Sequence, residues 1–471
     1  MKLTSVKLRG RVDSAPRRVR FYPSTRYLEP TTNVAGSKDL GANCSSSLSS
    51  VDGFVVRSLS ATRKYAENDQ DPLSAGREQK VDYVVASNYQ IANDRIKVTS
   101  QLLDVATGKV EDTVNVETDS VNLFSAQDKI ANDVGHRFLA RFGSDPVEFQ
   151  AKRGTNNEEA LQFYYRAINL SEERGVQNIR KSLEYLDQAV ALDPNYALAW
   201  AAKALTHGDM VSHISGGQHE HFPKSLEAIK KALDIDPSLS DAYSALCHYK
   251  NRYEYDFAGA ETACKRAVEL DPNSSVARKT NANFLCTRGH FEEAIVEIKT
   301  AIDLQPVSYR NQQIYALTLY FARRYPEAEE QFKTLIELNP SQIGFIHGRL
   351  IKVLEQQGKE SEAFEVLVKM LTTEETGNVE LERLKSAYRK SGWRGVQIER
   401  IKIAEADADL NYFDLAGLYA KVRDKDKALE CLEKVYLARS FLVPIIHVEP
   451  QLDSLHEDPR FIDLVRRIEG K

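Results

Sequence analysis

Cysteine is scarce in this sequence. Five residues, Cys44, Cys247, Cys264, Cys286 and Cys431, are scattered through 471, and none forms a Cys-x-x-Cys pair. That excludes a disulfide-dense scaffold and a zinc ribbon. An odd, dispersed set fits a reducing compartment or buried small hydrophobes. Cys247 and Cys264 read as packing residues. No apolar run approaches the ~18–20 residues of a membrane helix; the longest, 197–205 and 441–448, are far shorter. The amino terminus is basic but has no apolar stretch behind it, so it is not a secretory signal. As written, the chain is expected in the cytoplasm. No phosphate loop, nucleophile elbow, zincin helix or kinase signature occurs. Neither a catalytic residue nor a cofactor is therefore expected.

Charge is nearly balanced, with 63 Lys and Arg against 68 Asp and Glu, a net −5. Residues 1–26 carry eight basic side chains against Asp13, or +7, which leaves −12 for the rest. The folded part is therefore not expected to bind nucleic acid. Arg17-Arg18-Val19-Arg20 reads as a charged tail rather than a binding patch. Apolar residues at 42% exclude disorder over the whole chain.

One phrase recurs: an apolar residue, then Asp, Gln or Asn, then Pro. It stands at Leu192-Asp193-Pro194, Ile235-Asp236-Pro237, Leu270-Asp271-Pro272, Leu304-Gln305-Pro306 and Leu338-Asn339-Pro340. The prolines lie 43, 35, 34 and 34 apart. Five residues before each lies Ala189, Ala232, Ala267, Ala301 or Leu335. Eight before lies Leu186, Ile229, Cys264, Ile298 or Phe332. Twelve before lies Ser182, Ser225, Ala260, Ala294 or Ala328. Small residues let antiparallel helices approach, the bulky one fills the groove, and proline stops the second helix. A period near 34 resembles the tetratricopeptide repeat (TPR). Insertions near 172–178 and 212–222 are expected in loops. A sixth pair follows at 346–353 and 363–370, with Gly358 at its turn. Segments 381–390 and 396–408 read as helices joined by Ser391-Gly392. A repeat-like pair and a final amphipathic helix cap the end.

Ahead of the repeats the apolar period falls to two. Tyr83–Ile91 and Ile96–Leu102 alternate around Asn93-Asp94 and predict a hairpin with one buried face. Strands are also expected near 110–116 and 54–57. A helix starts at Asp71-Pro72, and Leu123, Gln127, Ile130, Val134 and Phe138 mark another.

Residues of this part carry a second resemblance. Arg63-Lys64-Tyr65, Asp71-Pro72, Ala75-Gly76-Arg77-Glu78, Val81-Asp82, Gln101-Leu102, Asp104 and Thr107-Gly108 are similar to the TolB-amino-terminal-like module of bacterial TPR proteins. The resemblance implies an upstream winged-helix, kinase or cyclase effector. It also implies an extracytoplasmic place when such a protein is membrane-anchored. No effector is present in this chain. The family's strand and helix ahead of 48 are not legible here, so 1–47 reads as a disordered or mis-started segment.

The fold expected is mainly α: a TPR α-solenoid of helical hairpins behind a small α/β domain. Its parts are 1–47, the basic segment; 48–142, the α/β module; 143–155, a linker; 156–374, about six repeats; 375–408, a helical connector; and 409–471, a TPR-like pair with a capping helix. The function expected is non-catalytic binding of a protein or peptide on the concave face. His248, Asn251, Arg252, Lys279, Asn283, Arg310, Gln313 and Tyr320 are expected to line that face. Lys279 and Asn283 sit where a TPR protein grips a terminal carboxylate, but Ile314 and Gly348 leave such a clamp incomplete. His207, His213, His219 and His221 cluster near the second insertion. A solvated loop accounts for them, and no metal is expected.

Overall fold

Asp and Pro in the repeat phrase divide the work of ending a helix. In the computed structural model of the chain, each second helix of a repeat stops two residues ahead of its proline, at Leu192, Ile235, Leu270, Leu304 and Leu338. Where the middle residue is Asp, its carboxylate accepts a hydrogen bond from the amide two residues on. Asn195 donates to Asp193, Ser238 to Asp236 and Asn273 to Asp271, at 2.9–3.0 Å. Proline has no amide to offer there, and the side-chain turn spans it.

The structure describes residues 5–8, 17–23, 55–56, 71–78, 81–92, 95–119, 129, 132–138, 140, 154–172, 175–214, 216–306, 308–338, 343–373, 378–407 and 410–470. Residues 143–153 of the 143–155 linker, the Asn93-Asp94 turn, Arg63-Lys64-Tyr65 and most of the helix expected from Leu123 fall outside them. Two units divide the chain. One is Met1–Glu172 with Gln188–Tyr196 and Ala301–Ser308; the other is Glu173–Asp187, Ala197–Thr300 and Tyr309–Lys471.

The first unit holds a mixed sheet. Strands β1 (Ser5–Leu8), β2 (Arg17–Pro23), β3 (Val55–Val56), β4 (Tyr83–Ala92), β5 (Arg95–Asp104) and β6 (Val110–Asp119) run in the order β1-β2-β4-β5-β6, with β3 beside β2. The antiparallel centre is β4-β5-β6, and β2 joins β4 in parallel. Residues 1–47 were expected to hold neither strand nor helix, yet β1 and β2 lie within them. Val6 and Leu8 alternate with Ser5 and Lys7, and Val19 and Phe21 with Arg18 and Arg20, but stretches so short and so basic read equally as a charged tail. The hairpin was expected to bury one face, but Val84 and Val85 are both fully buried. Helix α1 (Pro72–Glu78) covers the second face through Ala75, against Val84 and Val105. Gly76 permits the approach, because a Cβ there would stand 2.7 Å from both valines. Residues 132–138 form α2, with Val134 and Phe138 buried. Then α3 (Glu158–Glu172) is capped by Asn157, whose side chain accepts from the Ala160 amide and donates to Leu192 O.

The repeats continue as α4 (Val176–Leu192), α5 (Ala197–Met210), α6 (Gln218–Ile235), α7 (Ser240–Tyr249), α8 (Phe257–Leu270), α9 (Ser275–Thr287), α10 (Phe291–Leu304), α11 (Tyr309–Phe321), α12 (Tyr325–Leu338), α13 (Ile343–Gln356) and α14 (Glu360–Thr373). All fifteen repeat-register residues are exposed by 2% or less. The tetratricopeptide spacing is therefore the spacing of the core. The turns inside hairpins repeat too: Tyr255, Gly289, Arg323 and Gly358 all take the left-handed conformation.

Helix α15 (Asn378–Ala406) breaks at Ser391-Gly392, where Gly392 has φ +58°. Helices α16 (Tyr412–Val422), α17 (Lys425–Leu437) and α18 (Pro459–Ile468) end the chain. No described helix is long and apolar enough to cross a membrane.

One expectation needs correction. Cys247 and Cys264, read as unpaired packing residues, are bonded as a disulfide. They are core positions on α7 and α8, and the helices of one hairpin bring them face to face. The bond closes a sequence separation of 17, worth about 3 kcal/mol by chain entropy. Denaturant melts with and without dithiothreitol should differ by that amount. Identical melts would mean that no bond forms.

Candidate functional site

The repeat places one residue of each first helix in the same orientation, so a recess arises without further design. It measures about 650 Å³ within the second unit. His248 on α7, Asn283 on α9 and Leu317 on α11, each one repeat from the next, line it in turn. Helix α5 adds Asp209, and α13 adds Gly348, Arg349 and Lys352. Gly208 lets α5 approach α7, since a Cβ would stand 2.8 Å from His248 Nδ1.

The eight residues singled out in the sequence divide here. His248, Arg252, Asn283 and Gln313 line the recess. Arg310 reaches it through Asp209, donating from Nη1 to Oδ2 at 2.6 Å. Burial pushes the Asp209 carboxyl up, but Arg310, Lys279 and His248 outweigh this and hold it below its ordinary range. Lys279 thus contributes through its charge. Asn251 and Tyr320 do not share that surface. Asn251 is 2% exposed and accepts from the Thr287 hydroxyl. Tyr320 is 1% exposed and bonds Glu449. Both face inward because the first helices pack on two sides.

Arg252 lies in a π-helical turn, Lys250–Glu254, that follows α7. Such turns re-aim side chains, often at functional positions. Arg252 donates to Asn283 Oδ1 at 2.7 Å and to Phe441 O at 3.2 Å. Both acceptors are neutral. Burial pulls the guanidinium down to about 10 and His248 down to about 4. His248 is therefore an uncharged ring at neutral pH.

The carboxy-terminal segment supplies the rest of the wall and escaped the sequence. Gln218 donates to Ala438 O at 3.1 Å, Tyr255 to Ser440 O at 3.0 Å, and Arg439 to Tyr253 O at 3.2 Å. Arg288 pairs with Glu469 at 2.7 Å. Much of this contact runs through backbone oxygens, which leave no mark in a sequence. Phe441, Leu442, Ile445 and Gln451 reach the recess, as do Arg400 and Asp414 from α15 and α16.

The histidines of the second insertion are engaged by the chain itself. His207 and His221 are buried with their Nδ1 atoms 3.1 Å apart. His219 Nε2 lies 3.1 Å from Ala438 O. Among the described residues, no group of three His, Cys, Asp or Glu is placed to hold a metal ion.

Gly348 offers a direct handle on the recess. It lies inside α13, and a Cβ there meets nothing within 4 Å. Gly348→Ala should therefore stabilise the chain by about 0.5–1 kcal/mol through helix propensity alone. A fall in stability would show that the space is occupied.

No protein-family model matches the chain. Over 234 residues, 48% of its length, it is 24% identical to the Rhizobium meliloti (strain 1021) protein named "Putative adenylate cyclase 3" and spans 39% of that relative. Among solved structures, it is similar to the TPR protein TTC0263 of Thermus thermophilus, at 16% identity over 41% of this chain and 98% of that one, TM-score 0.34. It is also similar to the human IFIT1 dimer with m7Gppp-AAAA, at 18% identity over 73% and 78%, TM-score 0.44. The buried residues recurring at 34–35 positions, with one interval of 43, are what make the fold a TPR-type α-solenoid.

Proposed function

We propose that the chain is a non-catalytic scaffold that captures a protein or peptide partner in the recess of its first helices. One observation carries this: equivalent positions of consecutive repeats, His248, Asn283 and Leu317, converge on a single recess. A preformed surface binds with little ordering entropy to overcome. At about 650 Å³ the recess accepts one or two anchoring side chains or a chain end, not a folded domain. Its polar groups sit among Phe321, Phe345 and Leu317, the mix that anchor pockets use. A peptide-display selection on the full chain tests it. Gly348→Trp should fill the recess and abolish binding of the selected peptides while the fold survives. Undiminished binding to that variant would sink the reading.

A second reading is favoured by the cyclase-named relative, of which the chain spans only 39%. It makes these residues the coupling region of a longer bacterial signalling protein, with the TolB-like module joining effector to array. The intact mass in the native cell decides: 53.1 kDa favours the free scaffold, and a much larger mass the coupling region.

A further inference from the structure

The charges around the recess do not balance on its surface. Four cations line it, Arg252, Arg349, Lys352 and Arg400, against two carboxylates, Asp209 and Asp414. Their partners differ in kind. Lys352 holds Asp414 at 2.8 Å. Arg400 lies 3.4 Å from Glu355. Arg349 stands 4.0 Å from Glu449, and its buried Nη1 makes no hydrogen bond. Arg252 meets only the neutral oxygens of Asn283 and Phe441. A largely desolvated guanidinium facing only neutral acceptors is costly unless an anion joins it. Guanidinium presents a planar fork that fits a carboxylate or phosphate. The same lining has an apolar part, Ile314, Leu317 and Phe321 on α11.

We propose that the recess binds an organic oxyanion, with its carboxylate or phosphate on Arg252 and its apolar body against Ile314, Leu317 and Phe321. The proposal rests on the recess being the binding site and names the chemistry it selects. Such a group is carried by a free metabolite or by an anchoring residue of a peptide. Arg349, on the same lining, adds positive charge to the recess.

Calorimetry on the full chain tests this with phenyl phosphate, benzoate and the uncharged benzyl alcohol. At least one of the two anions should bind at one site per chain, and benzyl alcohol at least tenfold more weakly. Arg252→Met should weaken the anion tenfold or more. Because Arg252 also holds Phe441, Gly348→Trp serves as the second variant: it removes no cation and should abolish binding with the melting temperature retained. Failure of both anions, equal binding of benzyl alcohol, or full binding to Gly348→Trp would each overturn the proposal. The display-selected peptides separate the two readings. If they need an open recess while both anions fail, the oxyanion assignment falls and the scaffold reading stands. If the anions bind and no peptide does, the oxyanion assignment stands with a free small molecule as its source.

Discussion

Glu449→Ala should cost the protein about 3 kcal/mol or more. Glu449 is 1% exposed. One carboxylate oxygen accepts from the Tyr320 hydroxyl and, at 3.4 Å, from the Gln451 amide. The other faces Arg349 at 4.0 Å. Removing the carboxylate strands a buried hydroxyl and deprives a buried guanidinium of its counter-charge. Breaking a buried pair from one side costs about 3–5 kcal/mol, because the remaining charge stays desolvated. Tyr320→Phe removes only the hydroxyl and should cost about 1 kcal/mol. Urea melts of both variants measure the difference. Equal and small losses would show that the carboxy-terminal segment is not clamped to α11 and α13.

Lowering the pH from 7.5 to 5 should destabilise the chain by several kcal/mol. Burial, the largest cause in each case, pulls His207, His248 and His447 down to about 4. Unfolded histidine titrates near 6.5. A base with a depressed folded pKa contributes stability that is complete above 6.5 and is lost as pH falls toward 4. Each histidine should forfeit on the order of 2 kcal/mol at pH 5. Asp241 acts in the opposite direction. Burial and then Asp271 raise it to about 6, so its ionised form is a cost relieved by protonation. One such carboxyl does not offset three histidines. Asp414 and Glu329, held near 2, keep their contribution across this window. Thermal melts at pH 7.5, 6 and 5 measure the slope. A flat profile would contradict the burial of these rings.

What the sequence made legible follows from periodicity. The Asp-Pro phrase and the residues at −5, −8 and −12 report helix ends and helix contacts, which depend on near neighbours. They located the repeats and four residues that line the recess, His248, Arg252, Asn283 and Gln313. Long-range pairing was not legible. Phe441 lies 189 residues from Arg252, and Glu449 lies 129 from Tyr320. Tyr320 was placed on the surface because spacing gives a helix face, not what later packs against it. The disulfide was missed for a related reason. Cys264 fits the apolar register like Ile229 or Ile298, so nothing in the pattern marks it as bonded. The strands at 5–8 and 17–23 carry only short apolar alternations, Val6 with Leu8 and Val19 with Phe21, set among basic residues that read as a charged tail, so their place in the sheet was hidden.

Site-specific photo-crosslinking tests the central claim, that partners are read in the recess. A benzoylphenylalanine replaces Ile314, which lines the recess, or Val296, which is 64% exposed on α10. The recess reading predicts a crosslinked partner from position 314 and none from 296, with the 314 adduct lost in Gly348→Trp. Adducts from 296 alone would place binding on the outer helices and contradict it.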